Sequence, residues 1–432
     1  MAVPPRATLK TASSLRRSRA RGTNWCRGHL GFLLAAATVC WPAAVVEGRA
    51  SLNPPWTSRA GTPERACPRS SPIGFVPGQV VNVRIDAPHA CRIVVSTVVT
   101  LRGDVPGRLD PNGQPVARDL AGRYFTPTGR GQIAVWRSDG QFERSIGRLG
   151  DGRGELAPGY TPVHVSPTGR LFVRDNNYHW TVFSRSLELV DILNARGMSA
   201  DPLKSTFLDD GRFLATQSGD EVRKYYLQLF DLDGVAERTG ATGASPMEER
   251  PRPVAEFGRI ETKAMPQAWQ GRAVALGPAA SFWVGSTPSA SGGYQLELWR
   301  SDGTRVLTLR RTATWFARDE HVPNGAPLPQ VRLVGVDSSG LLYVETVVPN
   351  AHWRRDFSTL PPRAELDMAD AYVDVLDSRA GVLLASTGRV SGATAYSDYP
   401  HGFFPRSDEG YVNVSGGPIR AVRIVKYQLV GR

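Results

Sequence analysis

The chain has 432 residues and a formal net charge of +12, from 52 Lys and Arg against 40 Asp and Glu. The first 50 residues hold eight basic residues and one acidic residue, so they carry 8 − 1 = +7 and leave 12 − 7 = +5 for the rest. Such a mildly basic body excludes no class of ligand but predicts no specific nucleic-acid partner. A polyanion at the cell surface remains an alternative ligand, and its binding would weaken steeply with salt.

The first 50 residues are predicted to be an export signal. A basic stretch precedes the uncharged segment 31–46, GFLLAAATVCWPAAVV, and the small residues Gly48 and Ala50 follow it. This is the order of a secretory signal, and the apolar run is shorter than the roughly 20 residues of a membrane span. We therefore expect a periplasmic or extracellular mature chain with no stable membrane insertion. An uncleaved apolar anchor is the alternative.

Residues 51–90 are expected to form an irregular leader, because Pro, Ser, Arg and Gly dominate its first thirty residues. Loss of the signal would leave two cysteines, Cys67 and Cys91. Outside the cytoplasm two such cysteines are expected to pair, and closing a loop of this length contributes about 3 kcal/mol in the chain-entropy model. The pair is interpreted as a structural link, since no zinc-ligand spacing lies nearby.

Within residues 91–432 one strand pattern occurs six times: a tight turn, an apolar strand, and a second apolar strand. The turns are predicted at Gly122, Gly169, Gly211, Ala280, Gly340 and Gly410, and the second strands end at Trp136, Phe183, Phe230, Trp299, Leu376 and Val425. One strand before each turn and one after each second strand complete a four-stranded antiparallel unit. We call these strands A, B, C and D. The repeat predicts an all-β, six-bladed β-propeller. The only hint of helical periodicity lies at 186–193.

One repeat, residues 145–184, carries a more specific pattern. Its matching positions are Gly147, Gly150, Gly152, Gly154, Pro158, Gly169, Asp175 and Phe183. With a glycine-rich link before the turn and an aliphatic strand ending in Asp, this segment resembles the NHL-type repeat. It departs from that family where His179 and Trp180 stand in place of an Arg. The resemblance implies a six-bladed propeller of the kind found in exported bacterial proteins of unassigned role.

The two ends of the propeller segment predict how the ring closes. The last unit stops after its third strand, at 422–430, whereas the strand-like segment 91–104 precedes the first unit. We expect residues 93–101 to pair antiparallel with 422–430, because this pairing removes two exposed sheet edges.

The lengths of the connections predict a recognition face. A–B and C–D turns are short, whereas long connections are predicted at 239–270, 311–330, 349–370 and 388–401, between B and C or between D and A. Because strand direction alternates, these long connections emerge on one face, where binding usually resides. Aromatic, guanidinium and carboxylate groups that suit carboxylates, sugars or peptides cluster there. The candidate binding residues are His352, Trp353, Arg354, Arg355 and Asp356; Trp315, Arg318, Asp319 and His321; and Tyr396, Asp398, Tyr399 and His401.

These observations favour a monomeric binding scaffold without a cofactor, whose ligand is a protein, a peptide or a carbohydrate. In a purely structural alternative the long loops pack on each other as a lid. A third hypothesis is a metal-dependent, lactonase-like hydrolase or lyase with its site in the central channel. His164 is the one plausible metal ligand in the predicted A strands. The sequence has no GxSxG, HExxH or phosphate-binding loop motif.

Overall fold

Six sheets of four or five strands follow the six repeats and form a six-bladed β-propeller, as the sequence predicts. The computed structural model describes residues 67, 71–72, 74, 76–85, 91–102, 109, 115–157, 159, 161–194, 198–218, 224–242, 251–261, 272–289, 292–316, 329–350, 353, 369–387, 390–391, 402–414 and 421–431. The predicted export signal, residues 1–50, lies outside them.

Two strands precede the first blade: β1 (Gln79–Asn82) and β2 (Cys91–Arg102). Blade 1 contains β3 (Ala117–Arg118), β4 (Tyr124–Pro127), β5 (Ile133–Trp136) and β6 (Phe142–Ile146). A parallel ribbon of β7 (Arg148–Leu149) and β8 (Glu155–Leu156) links it to blade 2. Blade 2 contains β9 (Val163–Val165), β10 (Leu171–Arg174), β11 (His179–Phe183) and β12 (Leu189–Asn194). The hint of helical periodicity at 186–193 is therefore wrong, because this segment forms the fourth strand of blade 2.

Blade 3 contains β13 (Ser205–Phe207), β14 (Phe213–Ser218), β15 (Lys224–Phe230), helix α1 (Leu232–Thr242) and β16 (Pro253–Glu261). Blade 4 contains β17 (Val274–Leu276), β18 (Ser281–Ser289), β19 (Gly293–Arg300) and β20 (Arg305–Thr312), followed by a 3₁₀ turn (Thr314–Phe316). Blade 5 contains β21 (Gln330–Val336), β22 (Leu341–Pro349), β23 (Ala369–Asp377), β24 (Val382–Ser386) and β25 (Val390–Ser391). Blade 6 contains β26 (Gly402–Phe403), β27 (Glu409–Val414) and β28 (Ala421–Gly431).

The core consists of buried apolar clusters, one at each of the six junctions between neighbouring blades. Because both faces of a blade are covered in this way, its strands are apolar on both sides. The C-strand ends Trp136, Phe183 and Phe230 are buried, whereas Trp299 is partly buried and stacks on Phe257. Burying each of these large side chains stabilises the fold by roughly 1.5–3 kcal/mol.

The ring closes as predicted from the chain ends. Strand β2 pairs antiparallel with β28, so that Ile93 lies opposite Leu429 and Leu101 opposite Val422. The register shifts once, between Thr97 and Val99. The sixth blade is thus completed by the strand that precedes the first.

The A–B turns use left-handed backbone conformations. Gly169 and Gly340 have φ of 84° and 82°, a conformation that costs glycine little. The prediction of a sixth such turn at Gly410 is wrong, because Gly410 lies inside β27 and the turn residue is Arg406, with φ of 52°. Glycine is required at position 410 for another reason, since a Cβ atom there would lie 2.5 Å from the carbonyl oxygen of Gly402.

The long insertion of blade 3 lies partly in a different connection from the predicted one. The sequence places it at 239–270, between strands D and A, but helix α1 precedes strand D (β16), so residues 239–252 join C to D. Asp231 caps this helix, accepting a hydrogen bond from the backbone N–H of Gly234 at 2.9 Å. The motif DLDG therefore starts a helix here, because Asp is a strong N-cap residue as well as a turn residue.

The described part of the leader contacts the propeller. Strand β1 pairs in parallel with β20, at the outer edge of blade 4. Arg84 then forms a bridge with Val382 of blade 5. The leader is also joined to β2 by the disulfide between Cys67 and Cys91, whose Cα atoms lie 5.7 Å apart.

Candidate binding site

The face from which the B–C and D–A connections emerge is called the loop face, and the opposite one the turn face. Two of the predicted binding residues, Trp315 and Trp353, belong to the part of the chain that the structure describes. The others lie outside the described residues: His352, Arg354, Arg355, Asp356, Arg318, Asp319, His321, Tyr396, Asp398, Tyr399 and His401. For these the assignment remains a prediction.

Trp315 stacks on Tyr372 at the loop-face end of the junction between blades 4 and 5. Its 3₁₀ turn follows β20 directly, and the two ring centroids lie 4.1 Å apart with the planes at 6°. Tyr372 is buried, whereas Trp315 is half-buried. Tyr372 covers one face of the indole, and part of the Trp315 side chain remains exposed.

A buried charge network lies beneath this stack. Arg311 of β20 donates from Nε to Asp374 Oδ2 of β23 at 3.2 Å, across the junction. Tyr294 of β19 donates its hydroxyl proton to the same oxygen at 2.8 Å. All three side chains are less than a tenth exposed. Burial raises the pKa of Tyr294 well above its ordinary value, and the Asp374 charge adds to this, so the phenol keeps its proton.

Trp353 reaches the same strand through a second set of contacts. Its backbone N–H donates to the carbonyl oxygen of Asn350 at 3.1 Å, and the Asn350 amide donates to Asp370 Oδ1 at 3.2 Å. Trp353 is only 7% exposed. It therefore supports the loop-face surface from below, and of the two predicted tryptophans Trp315 is the one that a ligand could reach.

Asp370, Tyr372 and Asp374 alternate along β23, so they point to the same face of blade 5. This face packs against blade 4, and it joins the segments of Trp315 and Trp353, which are distant in sequence. Sequence reasoning named neither Tyr372 nor the partners of Asp374. The sequence did contain a signal for them, namely the carboxylates within β23. A carboxylate in a strand that is covered on both faces requires a buried partner.

The central channel offers a different environment. A cavity of about 60 Å³ is lined mainly by the A strands of blades 3 to 6, and most of the lining residues are of apolar types. On the turn face Arg406 crosses towards blades 3 and 4, where it pairs with Asp209 and donates to the carbonyl oxygen of Gly277 at 3.1 Å. The described residues that line this cavity include no carboxylate and no imidazole.

His164, the candidate metal ligand, packs inside the junction between blades 2 and 3. Its Nε2 donates to the carbonyl oxygen of Ala200 at 2.9 Å, and its ring meets Trp180 and Phe213 edge-on. Burial lowers the pKa of His164 to about 4, so the ring is neutral at physiological pH. Among the described residues no three His, Cys, Asp or Glu side chains are grouped so that they could hold a metal ion.

The fold and the junction site together define the class of protein: a six-bladed β-propeller with an aromatic surface at one blade junction. No protein-family model and no curated protein sequence matches the chain. The NHL-type resemblance therefore rests on one repeat.

Solved structures with a similar arrangement include a Bacteroides fragilis protein thought to be exported, with a TM-score of 0.46, 10% identity and coverage of 82% of this chain and 99% of that one. A gluconolactonase from Xanthomonas campestris has a TM-score of 0.39 and 16% identity, with coverage of 83% and 99%. Kuenenia stuttgartiensis hydrazine synthase has a TM-score of 0.39 and 14% identity, with coverage of 72% and 77%. Likenesses this distant carry no inference about activity.

Within the described part of the chain, no helix combines the length and the apolar character that crossing a lipid bilayer requires.

Proposed function

We propose that this protein is an exported, non-catalytic β-propeller that binds a protein, peptide or carbohydrate ligand at the loop-face end of the junction between blades 4 and 5. The observation that carries the proposal is the half-buried Trp315, stacked on Tyr372 over the network of Arg311 and Asp374. Aromatic residues on a rigid support provide much of the binding energy at recognition surfaces.

The stacking of Trp315 on Tyr372 reduces the entropic cost of ligand binding. Stacking on a buried ring restricts its rotamers before any ligand arrives, so little conformational freedom remains to be lost. Tyr372 is in turn held in β23, whose neighbouring residues Asp370 and Asp374 make buried hydrogen bonds. An anchor of this kind suits the flat face of a sugar or an extended peptide segment.

Export is supported by the order of features in residues 1–50 and by the disulfide between Cys67 and Cys91. Cell fractionation of the source organism, with N-terminal sequencing of the recovered protein, tests this part. We expect recovery outside the cytoplasm with a new N-terminus close to residue 50. A cytoplasmic chain that retains its first residues would contradict it.

No catalytic function is advanced, because no observation in the described residues favours the lactonase-like alternative. The described residues that line the channel cavity include no carboxylate and no imidazole, and His164 is held by Ala200 and an aromatic cluster.

The binding site is tested by ligand capture. The purified protein is immobilised and offered glycan arrays and extracellular protein extracts, and each ligand found is then titrated against variants. We expect Trp315→Ala to weaken binding at least tenfold with an unchanged unfolding temperature. Tyr178→Ala, which removes another exposed aromatic side chain of the loop face, is the matched control. Affinity within twofold of wild type for Trp315→Ala would refute this placement of the site.

A further inference from the structure

Strand β2 is the outer edge of blade 6, and its middle is open to solvent. It stands at the end of the sheet order β2-β28-β27-β26. Residues 95–100, VSTVVT, are all exposed or partly exposed, and Val98 is 48% exposed. The stretch from Ile93 to Leu101 contains no charged residue and no proline. A strand edge of this kind readily pairs with another strand, and natural proteins usually protect it.

The outer strands of the other five blades show such protection. Within the described residues, β6 carries exposed charges, β12 contains the buried Asp191, and β16 begins with Pro253. The leader covers the other two edges, because β1 pairs with β20 and Arg84 forms a bridge with Val382 of β24. On β2 the described protection is limited to a single bulge at Val98. Of the described outer edges, that of blade 6 is therefore the one suited to accept a further strand.

The main chain of β2 has hydrogen-bonding groups that point away from blade 6. Tyr427 of β28 donates its backbone N–H to the carbonyl oxygen of Asp408 at 2.7 Å, on the side of β27. Tyr427 and Val95, which lie opposite each other, therefore form a pair without mutual hydrogen bonds, and Val95 directs its N–H and C=O outward. Thr97 lies opposite Val425, two residues further along both strands, and does the same. No described strand pairs with these outward groups.

The open part of this edge is bounded at both ends. Near the start of β2, Ile93 is buried in a cluster against which Cys67 of the leader packs. Near its end the C–D turn of blade 1 comes close, since a Cβ atom on Gly140 would lie 3.2 Å from the carbonyl oxygen of Thr100. Residues 95–98 remain open. A run of four residues is long enough in this fold, because the four residues of β1 pair with β20 at the edge of blade 4.

The charge around this edge selects the kind of strand that fits it. Strands β2 and β28 together contain four basic residues and no acidic residue: Arg92, Arg102, Arg423 and Lys426. Arg92 and Arg102 are exposed. An acidic segment complements this charge. A second copy of the chain, pairing edge to edge, would instead bring two basic surfaces together.

We propose that the outer edge of blade 6 binds an extended, acidic segment of a partner protein, which adds to β2 as a fifth strand. Main-chain hydrogen bonds to Val95 and Thr97 hold the segment, as in other cases of strand addition to an exposed sheet edge. The basic residues of β2 and β28 select for acidic residues at its ends. The proposal is independent of the loop-face site at blades 4 and 5.

The probe is a fluorescein-labelled peptide, Glu-Thr-Val-Thr-Val-Thr-Glu, whose binding to the purified protein is followed by fluorescence anisotropy. We expect saturable binding. The matched peptide with Lys at both ends should bind at least tenfold more weakly, because like charges then face the basic strands. Absence of saturable binding, or equal affinities of the two peptides, would overturn the proposal.

Two substitutions at one position locate the bound peptide. Val95→Pro removes the outward N–H, and proline is tolerated on an edge strand where that group faces solvent. Val95→Ala is the matched control, because it loses the same side-chain packing but keeps the N–H. We expect Val95→Pro to weaken peptide binding at least tenfold and Val95→Ala less than threefold. Similar affinities of the two variants would overturn the placement on β2.

Amide hydrogen exchange of the wild-type protein tests the contact without any substitution. The amides of Val95 and Thr97 should exchange rapidly in the free protein and at least tenfold more slowly with the Glu-ended peptide bound. The amide of Ser96 points towards β28 and should change less than twofold. Unchanged exchange at Val95 and Thr97 would contradict the proposal. A dimer in sedimentation experiments that Val95→Pro dissociates would identify a second copy as the occupant, and would overturn it as well.

Discussion

Leu101 lies directly opposite Val422, and this contact joins the first strand of the propeller to its last. Both side chains are buried in the cluster that fills the junction between blades 6 and 1. The sixth blade is therefore held together by residues from the two ends of the domain, and its stability depends on a long-range pairing.

Leu101→Ala should lower the free energy of unfolding by about 2–5 kcal/mol, because it leaves a cavity in this fully buried position. Chemical denaturation measures the change. The matched control is Val98→Ala in the same strand, at a side chain that is 48% exposed. We expect that control to change stability by about 0.5 kcal/mol or less. Equal effects of the two substitutions would mean that β2 does not close the ring in solution.

Asp374→Asn should destabilise the protein by about 3–5 kcal/mol, because it leaves the buried charge of Arg311 without its counter-ion. Tyr294→Phe removes one hydrogen bond to the same carboxylate and should cost about 1–3 kcal/mol.

Asp408→Asn is the control for Asp374→Asn, since Asp408 forms a more exposed ion pair with Lys426 at 3.3 Å. Ion pairs of that kind contribute about 0–1 kcal/mol. A stability loss for Asp374→Asn as small as that of the control would show that the junction network is not a rigid support for Tyr372 and Trp315.

The stability of the protein should decrease as the pH falls from 6.5 to 4. In the folded state the pKa of His164 is about 4, lowered from 6.5 by burial, so the unfolded chain binds this proton more readily. Above pH 6.5 His164 is neutral in both states, so this proton does not affect stability. By pH 4 the free energy of unfolding has decreased by about 3 kcal/mol.

Other groups also titrate in this range, so the comparison is with His164→Gln. That variant should show a smaller decrease in the free energy of unfolding over the same interval. Parallel pH profiles for the two proteins would contradict a neutral, buried His164.

The sequence predicted those parts of the fold that depend on local patterns. Strand alternation and tight turns determine each blade, and the counting of strands determined the pairing of β2 with β28. Predictions from local patterns were wrong where the same motif is compatible with two structures. Asp231 caps a helix although its motif is also a turn motif, and Arg406 adopts the conformation expected of Gly410.

The candidate site was predictable only in part. The loop face and the segments around Trp315 and Trp353 followed from connection lengths and composition. The partners of these segments did not, because Tyr372 and Asp374 acquire their roles from contacts with a neighbouring blade.

The sequence by itself thus determined the number of blades, the order of the strands and the closure of the ring, since these follow from periodicity along the chain. Only the tertiary structure decided which side chains meet at the junctions. Arg311 faces Asp374, and Arg272 shares Glu297 with Arg305, because neighbouring blades pack against each other in one fixed alignment. Contacts between blades depend on that stacking, which no local pattern in the chain encodes.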